Sequence, residues 1–511
     1  MLLTHSSLAI LRRRAKMLST MSDKPNILFI VTDHQAFHGH HRPGEFEYVW
    51  PRYEKFCGEG VRFERAYSVS PVCTPARSSM MTGEYPSQHG LMYNSDYGGD
   101  FKPNQELYSQ HLARAGYRNA YIGKWHCSHT RLPADYGIEG WALPDYGKVY
   151  MSDEYKRYAA ERGFGAARAQ IEHQLDYPEW EGQTVTLYHD SPFHFMGSSG
   201  VLVGPPAAHE EQFVAHLTVN KLQELTQGTQ PWSLVASFWG PHNPYFPTEP
   251  YASMFDPKKI PEYPTFRDDL TGRPLRYLLH RHYHHAGARR WTEWSVWQEI
   301  LAKAYGQGLQ TDAAIGQILD ALEASGQADN TIVIWCADHG DAVACHGGLW
   351  DKASTFIEEV TRVPFAIRWP ARFAGGRSTT ELISNMDVTA TMLAAAGVTV
   401  PAAMASRSLL PLCQGDAAVQ WPDELVCEHA GHGEDFPQRI VMHGPYKYVA
   451  ALFDGHELYD LEKDPFELKN LVGDPAYRDV AADLRQRIIR HIERTRDHEG
   501  ARLAFALKKG F

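Results

Sequence analysis

Long apolar runs, paired cysteines and basic clusters are missing from this 511-residue sequence, and each absence excludes a class of protein. No eighteen consecutive residues are apolar, so we expect no membrane-spanning helix. The formal net charge is −11 and no long basic run occurs, which argues against nucleic acid as a partner. The seven cysteines form no C-x-x-C pair, which argues against a disulfide scaffold or structural zinc site. Such cysteines favour a reducing compartment, and we expect a cytoplasmic protein.

The first residues also lack the pattern of a secretory signal. Three arginines at 12–14 follow the apolar residues 8–11, whereas a signal peptide carries its charges before the apolar segment. We therefore expect residues 1–22 to be a disordered tail or a misassigned start. The alternative for residues 1–20 is a transit-like segment, which is rich in arginine and lacks acidic residues.

Apolar residues make up 43% of the chain, enough for a large core. Four short apolar runs, rich in β-branched and aromatic residues, predict buried parallel strands. They are Asn26–Thr32, Tyr117–Ile122, Trp232–Trp239 and Thr331–Ala337. Helical patterns at 106–115 and 301–324 precede two of these runs and end at glycines. The alternation predicts an α/β fold with a large mixed, mostly parallel sheet flanked by helices.

The sequence also predicts a second, smaller unit. Short strands at Leu425–His429, Arg439–His443, Tyr446–Ala450 and Glu457–Leu461, followed by a helix over 480–496, predict an antiparallel sheet with a covering helix. We therefore expect an α/β domain over 23–400 and an α+β subdomain over 401–511. The segments near 150–230 and 256–300 interrupt the first domain and are interpreted as insertions.

The second insertion is rich in histidines and aromatic residues. A metal site is conceivable at His280, His282, His284 and His285, but no ligand spacing repeats, so a solvated or interface loop is the preferred interpretation. Its aromatic residues Tyr283, Trp291, Trp294 and Trp297 either stack on a substrate or pack internally. The insertions and residues 503–511 are candidate interfaces for a homo-oligomer.

Polar residues of catalytic type follow each of the four predicted parallel strands. They are Asp33 after the first, Lys124 and His126 after the second, His242 after the third, and Asp338 and His339 after the fourth. Active sites of open α/β sheets lie beyond the carboxyl ends of the strands. These side chains are therefore predicted to meet in one site.

Cys73 begins another segment whose residue types could carry catalytic chemistry. Pro75 suits the first turn of a helix and Gly83 suits its end, so Cys73 would lie at a helix N-terminus. Unpaired amides and the helix dipole lower a thiol pKa there, and Arg77 one turn later adds positive charge. The segment alone fits an anion-binding, reactive cysteine or a buried inert one.

Cys73-Thr74-Pro75-Ala76-Arg77 resembles the C-x-P-x-R signature of the type I sulfatases, a family of the alkaline phosphatase superfamily. Further motifs in family order are Gly123-Lys124-Trp125-His126, Gly240-Pro241-His242-Asn243-Pro244, Asp338-His339-Gly340-Asp341, Lys352, Tyr446-Lys447-Tyr448 and Glu457-Leu458-Tyr459-Asp460-Leu461. The resemblance runs from about residue 23 to 472 and implies an alkaline-phosphatase-like fold.

The resemblance implies a sulfatase that hydrolyses a sulfate monoester. In this family a formylglycine-generating enzyme converts the motif cysteine, here Cys73, to Cα-formylglycine (3-oxoalanine). Its hydrate is the nucleophile, and collapse back to the aldehyde releases the sulfate. The implied substrate is a small anionic ester whose alcohol the sequence does not identify.

One divalent cation is implied as well, held by Asp33, Asp338, His339 and the modified Cys73. Calcium is the ion expected from the family, with magnesium, manganese or zinc as alternatives. His34 departs from the family pattern, which usually has a second Asp there. His34 either binds the metal, which would favour manganese or zinc, or only donates a hydrogen bond.

Other site residues carry roles implied by the resemblance. Lys124 and Lys352 would hold the sulfate oxygens, and Arg77 would steady the nucleophile. His126 would take the proton when the intermediate collapses, and His242 would protonate the departing alcohol. The histidines at 38, 40 and 41 have no assigned role.

Two other functions compete with this interpretation. A phosphonate monoester or phosphodiester hydrolase of the same superfamily would share the cysteine and the Asp-His pair. A non-catalytic binding protein would be expected to lose the cysteine, a metal ligand or a lysine, and all are present here.

Overall fold

The computed structural model describes residues 24–37, 48–175, 177–188, 195–285, 292–352, 354–432 and 435–510. The predicted tail over 1–22 lies outside these residues. So do His38, His40, His41 and Trp291.

The strands are short, and their bounds follow in chain order. They are β1 (Asn26–Asp33), β2 (Val61–Phe63), β3 (Ala66–Tyr67), β4 (Arg118–Lys124), β5 (Glu139–Leu143), β6 (Arg168–Gln174), β7 (Thr184–Thr186), β8 (Ser198–Val203), β9 (Trp232–Pro241), β10 (Thr331–Ala337), β11 (Phe365–Arg368), β12 (Arg377–Thr379), β13 (Ile383–Ser384), β14 (Glu424–His429), β15 (Gln438–His443), β16 (Tyr446–Ala451) and β17 (Glu457–Asp460).

The helices connect these strands and cover the sheets. They are α1 (Pro51–Glu59), α2 (Cys73–Thr82), α3 (Pro86–His89), α4 (Tyr108–Arg114), α5 (Asp153–Arg162), α6 (Glu210–Thr226), α7 (Leu275–His285), α8 (Trp294–Ala324), α9 (Glu358–Thr361), α10 (Asp387–Ala395), α11 (Leu410–Gln414), α12 (Arg478–Thr495) and α13 (Ala501–Lys509).

The largest sheet has eight strands in the order β12-β2-β11-β10-β1-β9-β4-β5. Strands β10, β1, β9, β4 and β5 are parallel, and β11 is antiparallel to its neighbours β10 and β2. Their carboxyl ends therefore meet at one edge, in the order that brings the predicted site residues together. The structure confirms the predicted mixed, mostly parallel α/β sheet.

Both faces of this sheet are covered, which explains why its central strands are continuous apolar runs. In β1, Leu28 and Ile30 join the core on one face, while Ile27, Phe29 and Val31 join the core on the other. Successive side chains of a strand point to opposite faces, so a strand buried on both sides has no polar alternation. Fully burying each such side chain contributes roughly 1.5–3 kcal/mol.

The four predicted parallel strands are present with bounds within two residues of those expected. One helix differs, since α8 begins at Trp294 rather than at residue 301. Trp294 and Trp297 are buried in the core, so tertiary packing extends the helix into the predicted insertion. Helix α6 lies within the other predicted insertion and packs against β9 and α8. The limits of the two domains stay a prediction.

The C-terminal part of the chain contains a separate four-stranded antiparallel sheet, β14-β15-β16-β17. Helix α12 covers it, placing Leu484, Ile488 and Ile492 against Val441 and Tyr448. The predicted smaller sheet with a covering helix is confirmed. Across the ranges described, none of the helices is long and apolar enough to cross a membrane.

Candidate active site

Three strands of the large sheet, β1, β4 and β10, end at or just before polar residues that meet in one buried centre. Asp33 is the last residue of β1, Lys124 is the last residue of β4, and Asp338 follows β10. Each of these side chains is 0% exposed. His242 follows β9 and is also buried. The structure thus brings the predicted strand-end residues together.

Cys73 lies in the middle of this centre. It is the first residue of α2, which ends at Gly83 in a left-handed conformation, as the sequence predicted. The Cys73 Sγ atom lies 3.2 Å from His339 Nε2, 3.7 Å from Asp33 Oδ1 and 3.9 Å from Lys124 Nζ. A nucleophile at position 73 therefore has a carboxylate, an imidazole and an ammonium group within reach.

Arg77, one turn along α2, binds the two carboxylates rather than solvent. Its Nε donates to Asp338 Oδ2 at 2.7 Å, and its guanidinium approaches Asp33 Oδ2 at 3.7 Å. Further hydrogen bonds to Ser237 Oγ at 2.7 Å and to the Lys124 carbonyl at 3.1 Å fix its plane. Arg77 therefore holds both carboxylates at fixed positions beside Cys73.

The two predicted lysines approach the centre from different elements. Lys124 forms an ion pair with Asp33, and its ammonium lies 4.0 Å from the ring centre of Tyr146. Lys352 donates to Asp351 Oδ1 at 2.7 Å and faces His242 Nε2 at 3.3 Å. Both ammonium groups are buried and near the nucleophile, where a sulfate oxygen could replace one of their present partners.

The protonation states follow from burial and from these charges. Burial would raise the pKa of Asp33, but Lys124, His242 and Arg77 outweigh it and hold the pKa well below its usual value. Burial lowers the pKa of His34 and His242, and the positive charge of Lys352 lowers both further. The centre therefore combines an ionised carboxylate with neutral imidazoles, which are the forms that bind metal ions.

The residues present fit one divalent cation. The ligand atoms of Asp33, Cys73, Asp338 and His339 lie within 4.8 Å of one another, and so do those of Asp33, His34, Cys73 and His242. Cys73 belongs to both groups. Two anionic carboxylates and neutral imidazoles are a suitable donor set for such an ion.

His126 lies at the rim of the centre. Its Nε2 atom is 3.5 Å from Asp96 Oδ2, and its ring meets Tyr146 edge-on with centres 5.7 Å apart. Neither ring nitrogen has a hydrogen-bond partner among the described residues. Such an imidazole can take up a proton from a reacting group.

Several residues of the site were not identified from the sequence. Tyr146 contacts Lys124, His126 and His242, and no sequence signal marks it. Asp351 directly precedes Lys352 and pairs with its ammonium. Asp341 is the last residue of the Asp338-His339-Gly340-Asp341 motif. No role was predicted for it, although its place in the motif could have identified it as a site residue.

The histidine-rich insertion does not contribute to this centre where it is described. His280 binds the Trp350 carbonyl at 2.8 Å, and the side chains over 281–285 lie outside the description. Trp294 and Trp297 pack in the core, against Phe266 and Trp350 respectively. Internal packing is therefore the interpretation that holds for these two tryptophans.

Comparison with known proteins identifies the family. Residues 25–398 match the sulfatase family model, and residues 345–494 match a model of the N-sulphoglucosamine sulphohydrolase C-terminal region. The chain belongs to the sulfatase family. The resemblance noted from the motifs is confirmed, and the sulfatase is a sulfuric ester hydrolase.

Similar proteins span nearly the whole chain. The choline-sulfatase of Rhizobium meliloti is 28% identical over 497 residues, which cover 90% of this chain and 86% of that protein. The arylsulfatase of Clostridium perfringens is 28% identical over 491 residues, covering 92% and 95%. A solved phosphonate monoester hydrolase from Silicibacter pomeroyi has a TM-score of 0.74 at 21% identity, covering 94% and 97%. That likeness supports the alkaline-phosphatase-like fold.

Proposed function

We propose that this sulfatase hydrolyses a sulfate monoester with a formylglycine made from Cys73. The observation that carries the proposal is the position of Cys73 Sγ, within 3.9 Å of Asp33, His339 and Lys124 at a buried helix N-terminus. A formylglycine there supplies a hydrated aldehyde whose oxygen attacks sulfur and whose collapse releases sulfate. Maturation then requires a formylglycine-generating enzyme as a partner.

The cation of this site is proposed to bind Asp33, Asp338, His339 and His34 together with the modified residue 73. Such an ion would lower the pKa of the nucleophilic oxygen and would neutralise charge on the sulfate. Calcium is the family expectation, but two imidazole nitrogens suit manganese or zinc better. Metal analysis of the purified protein distinguishes these ions.

Lys124 and Lys352 are proposed to hold the sulfate oxygens. Both ammonium groups are buried, and Asp351 raises the pKa of Lys352 although burial opposes this, so Lys352 stays charged. A cation in a water-poor site stabilises developing negative charge more strongly than it would in water. Arg77 would keep Asp33 and Asp338 in place during the reaction.

The two proton transfers are assigned to His242 and His126. When the bond between sulfur and the alcohol oxygen breaks, His242 would give a proton from Nε2 to that oxygen. This requires the imidazolium form, which the negative charge of a bound sulfate ester would favour over the neutral ring of the free site. His126 would accept the proton of the second hydroxyl as the aldehyde re-forms and sulfate departs. Asp96, 3.5 Å from His126 Nε2, would stabilise the resulting imidazolium.

A phosphonate monoester or phosphodiester hydrolase is the second candidate, because the Asp338-His339 ligand pair is of the type those enzymes share. Rates on an aryl sulfate and on an aryl phenylphosphonate, measured in parallel, separate the two. We expect the larger kcat/KM for the sulfate. A much larger value for the phosphonate would reverse the assignment.

We also propose a cytoplasmic location. All seven cysteines are free and buried in the structure, which supports a reducing compartment. Cell fractionation with an antibody to the native protein tests this, and recovery in the periplasmic or secreted fraction would contradict it.

A further inference from the structure

Two histidines of the catalytic centre, His339 and His242, both turn Nδ1 toward a backbone carbonyl. His339 Nδ1 lies 2.9 Å from the Gly340 carbonyl, and His242 Nδ1 lies 2.5 Å from the Asn243 carbonyl. A carbonyl oxygen only accepts hydrogen bonds, so Nδ1 carries the proton in each ring. The lone pair is then on Nε2, which in both rings faces the centre. A backbone acceptor thus selects the tautomer of these two histidines.

His34 has the same orientation but a different acceptor. Its Nε2 lies 2.5 Å from Lys352 Nζ, and an ammonium group only donates, so Nε2 carries the lone pair. The proton must then be on Nδ1. The group that faces Nδ1 is Asp341, whose Oδ2 atom lies 3.4 Å away, and Nδ1 makes no hydrogen bond to any of the described residues.

The opposite tautomer fits the surroundings poorly. It would require Nε2–H to donate to Asp351 Oδ1, 3.1 Å away, an atom that already accepts from Lys352 at 2.7 Å. It would also turn the Nδ1 lone pair toward Asp341 Oδ2, an oxygen that accepts the Tyr245 hydroxyl proton, so two lone pairs would face each other. The contacts on both sides of the ring therefore favour the tautomer with the proton on Nδ1.

Asp341 is itself firmly held. Tyr245 donates its hydroxyl proton to Oδ2, and the Val343 amide donates to Oδ1 at 3.0 Å. Asp341 is 5% exposed and Tyr245 is 2% exposed. The carboxylate therefore has a fixed direction before any ligand arrives.

We propose that Asp341 is a positioning residue that keeps His34 in the Nδ1–H form. The Nε2 lone pair, which accepts from Lys352 in this structure, is then available to the metal when Lys352 gives up that contact and keeps its pair with Asp351. A ligand histidine whose other nitrogen donates to a carboxylate is a recurrent arrangement, and the carboxylate also makes the imidazole a stronger base. An aspartate at position 34 would have no tautomer to fix. Asp341 thus serves the histidine that distinguishes this site, and the inference rests on the proposed ligation by His34.

The test is the metal affinity of the chelator-treated protein, measured by calorimetric titration with manganese or zinc. Asp341→Asn should weaken binding about 10- to 100-fold. Tyr245→Phe should weaken metal binding less, because the Asp341 carboxylate remains and loses only the hydrogen bond from Tyr245. Asp268→Asn is the matched control, since the Asp268 side chain is only 8% exposed and also faces a histidine, with His346 Nδ1 at 3.0 Å, and this change should leave the affinity unchanged.

Repeating the Asp341→Asn change in the His34→Asp variant shows whether Asp341 acts through His34. In His34→Asp protein, the Asp341→Asn change should no longer weaken metal binding. An unchanged affinity of Asp341→Asn in the native background would overturn the proposal, and so would an equal loss in both backgrounds. The titration needs neither modified Cys73 nor turnover, so a failure of the proposed sulfatase mechanism would be seen separately, in the activity assay.

Discussion

Replacing His242 by glutamine tests the proton transfer to the leaving alcohol. His242 is 5% exposed. Its Nδ1 contact with the Asn243 carbonyl leaves Nε2, which faces Lys352 Nζ at 3.3 Å, as the atom that would deliver the proton. Glutamine keeps a polar side chain of similar reach but cannot deliver a proton. General acid catalysis contributes about 10²- to 10⁴-fold, so the barrier should rise by roughly 3–5 kcal/mol.

The size of the loss should depend on the leaving group. Phenyl sulfate releases a basic oxygen and should show the full loss in kcat/KM, whereas para-nitrophenyl sulfate needs little protonation and should lose at most about tenfold. His129→Gln is the control, because His129 is an exposed histidine paired with Asp145 at 2.9 Å. Equal losses on both substrates would refute the assignment and would indicate that His242 positions Lys352 instead.

Three further outcomes are expected. Arg77→Met should lower the free energy of unfolding of the metal-free protein by about 3–5 kcal/mol in urea titrations, because the buried Asp338 carboxylate loses its partner; a loss under about 1 kcal/mol would contradict this. A chelator should abolish sulfate hydrolysis, with manganese or zinc restoring more activity than calcium; full activity without metal would be inconsistent with the account. Burial lowers the pKa of His89 to about 3, so the unfolded chain takes up a proton below pH 6.5 that the native state excludes. Stability should therefore fall by up to about 1.4 kcal/mol per pH unit as pH drops from 6.5 toward 3, and His89→Asn should flatten that part of the pH–stability curve; an unaltered curve would count against it.

The sheet and the location of the site could be predicted because both depend on local sequence. The residues of β1 and β10 are unbroken apolar runs, which is what burial on both faces requires. Asp33 and Asp338 come at the ends of these runs, and parallel strands bring such residues to one edge. Pro75 and Gly83 bracketed α2 by their backbone preferences alone.

The surroundings of His34 could not be predicted in the same way. Its polar contacts come from Asp341, Asp351 and Lys352, which are distant from it in sequence and meet it only through tertiary packing. The early start of α8 has a similar cause, since Trp294 and Trp297 resemble an exposed aromatic insertion until the core that buries them is known. Propensity and motif spacing carry no information about such contacts.

The chemical state of residue 73 tests the central claim most directly. Mass spectrometry of the peptide containing Cys73, after coexpression with a formylglycine-generating enzyme, measures it in the active protein. The account predicts the mass in which an aldehyde has replaced the thiol-bearing side chain, with sulfate hydrolysis proportional to the converted fraction. An unmodified thiol in fully active enzyme would contradict the account.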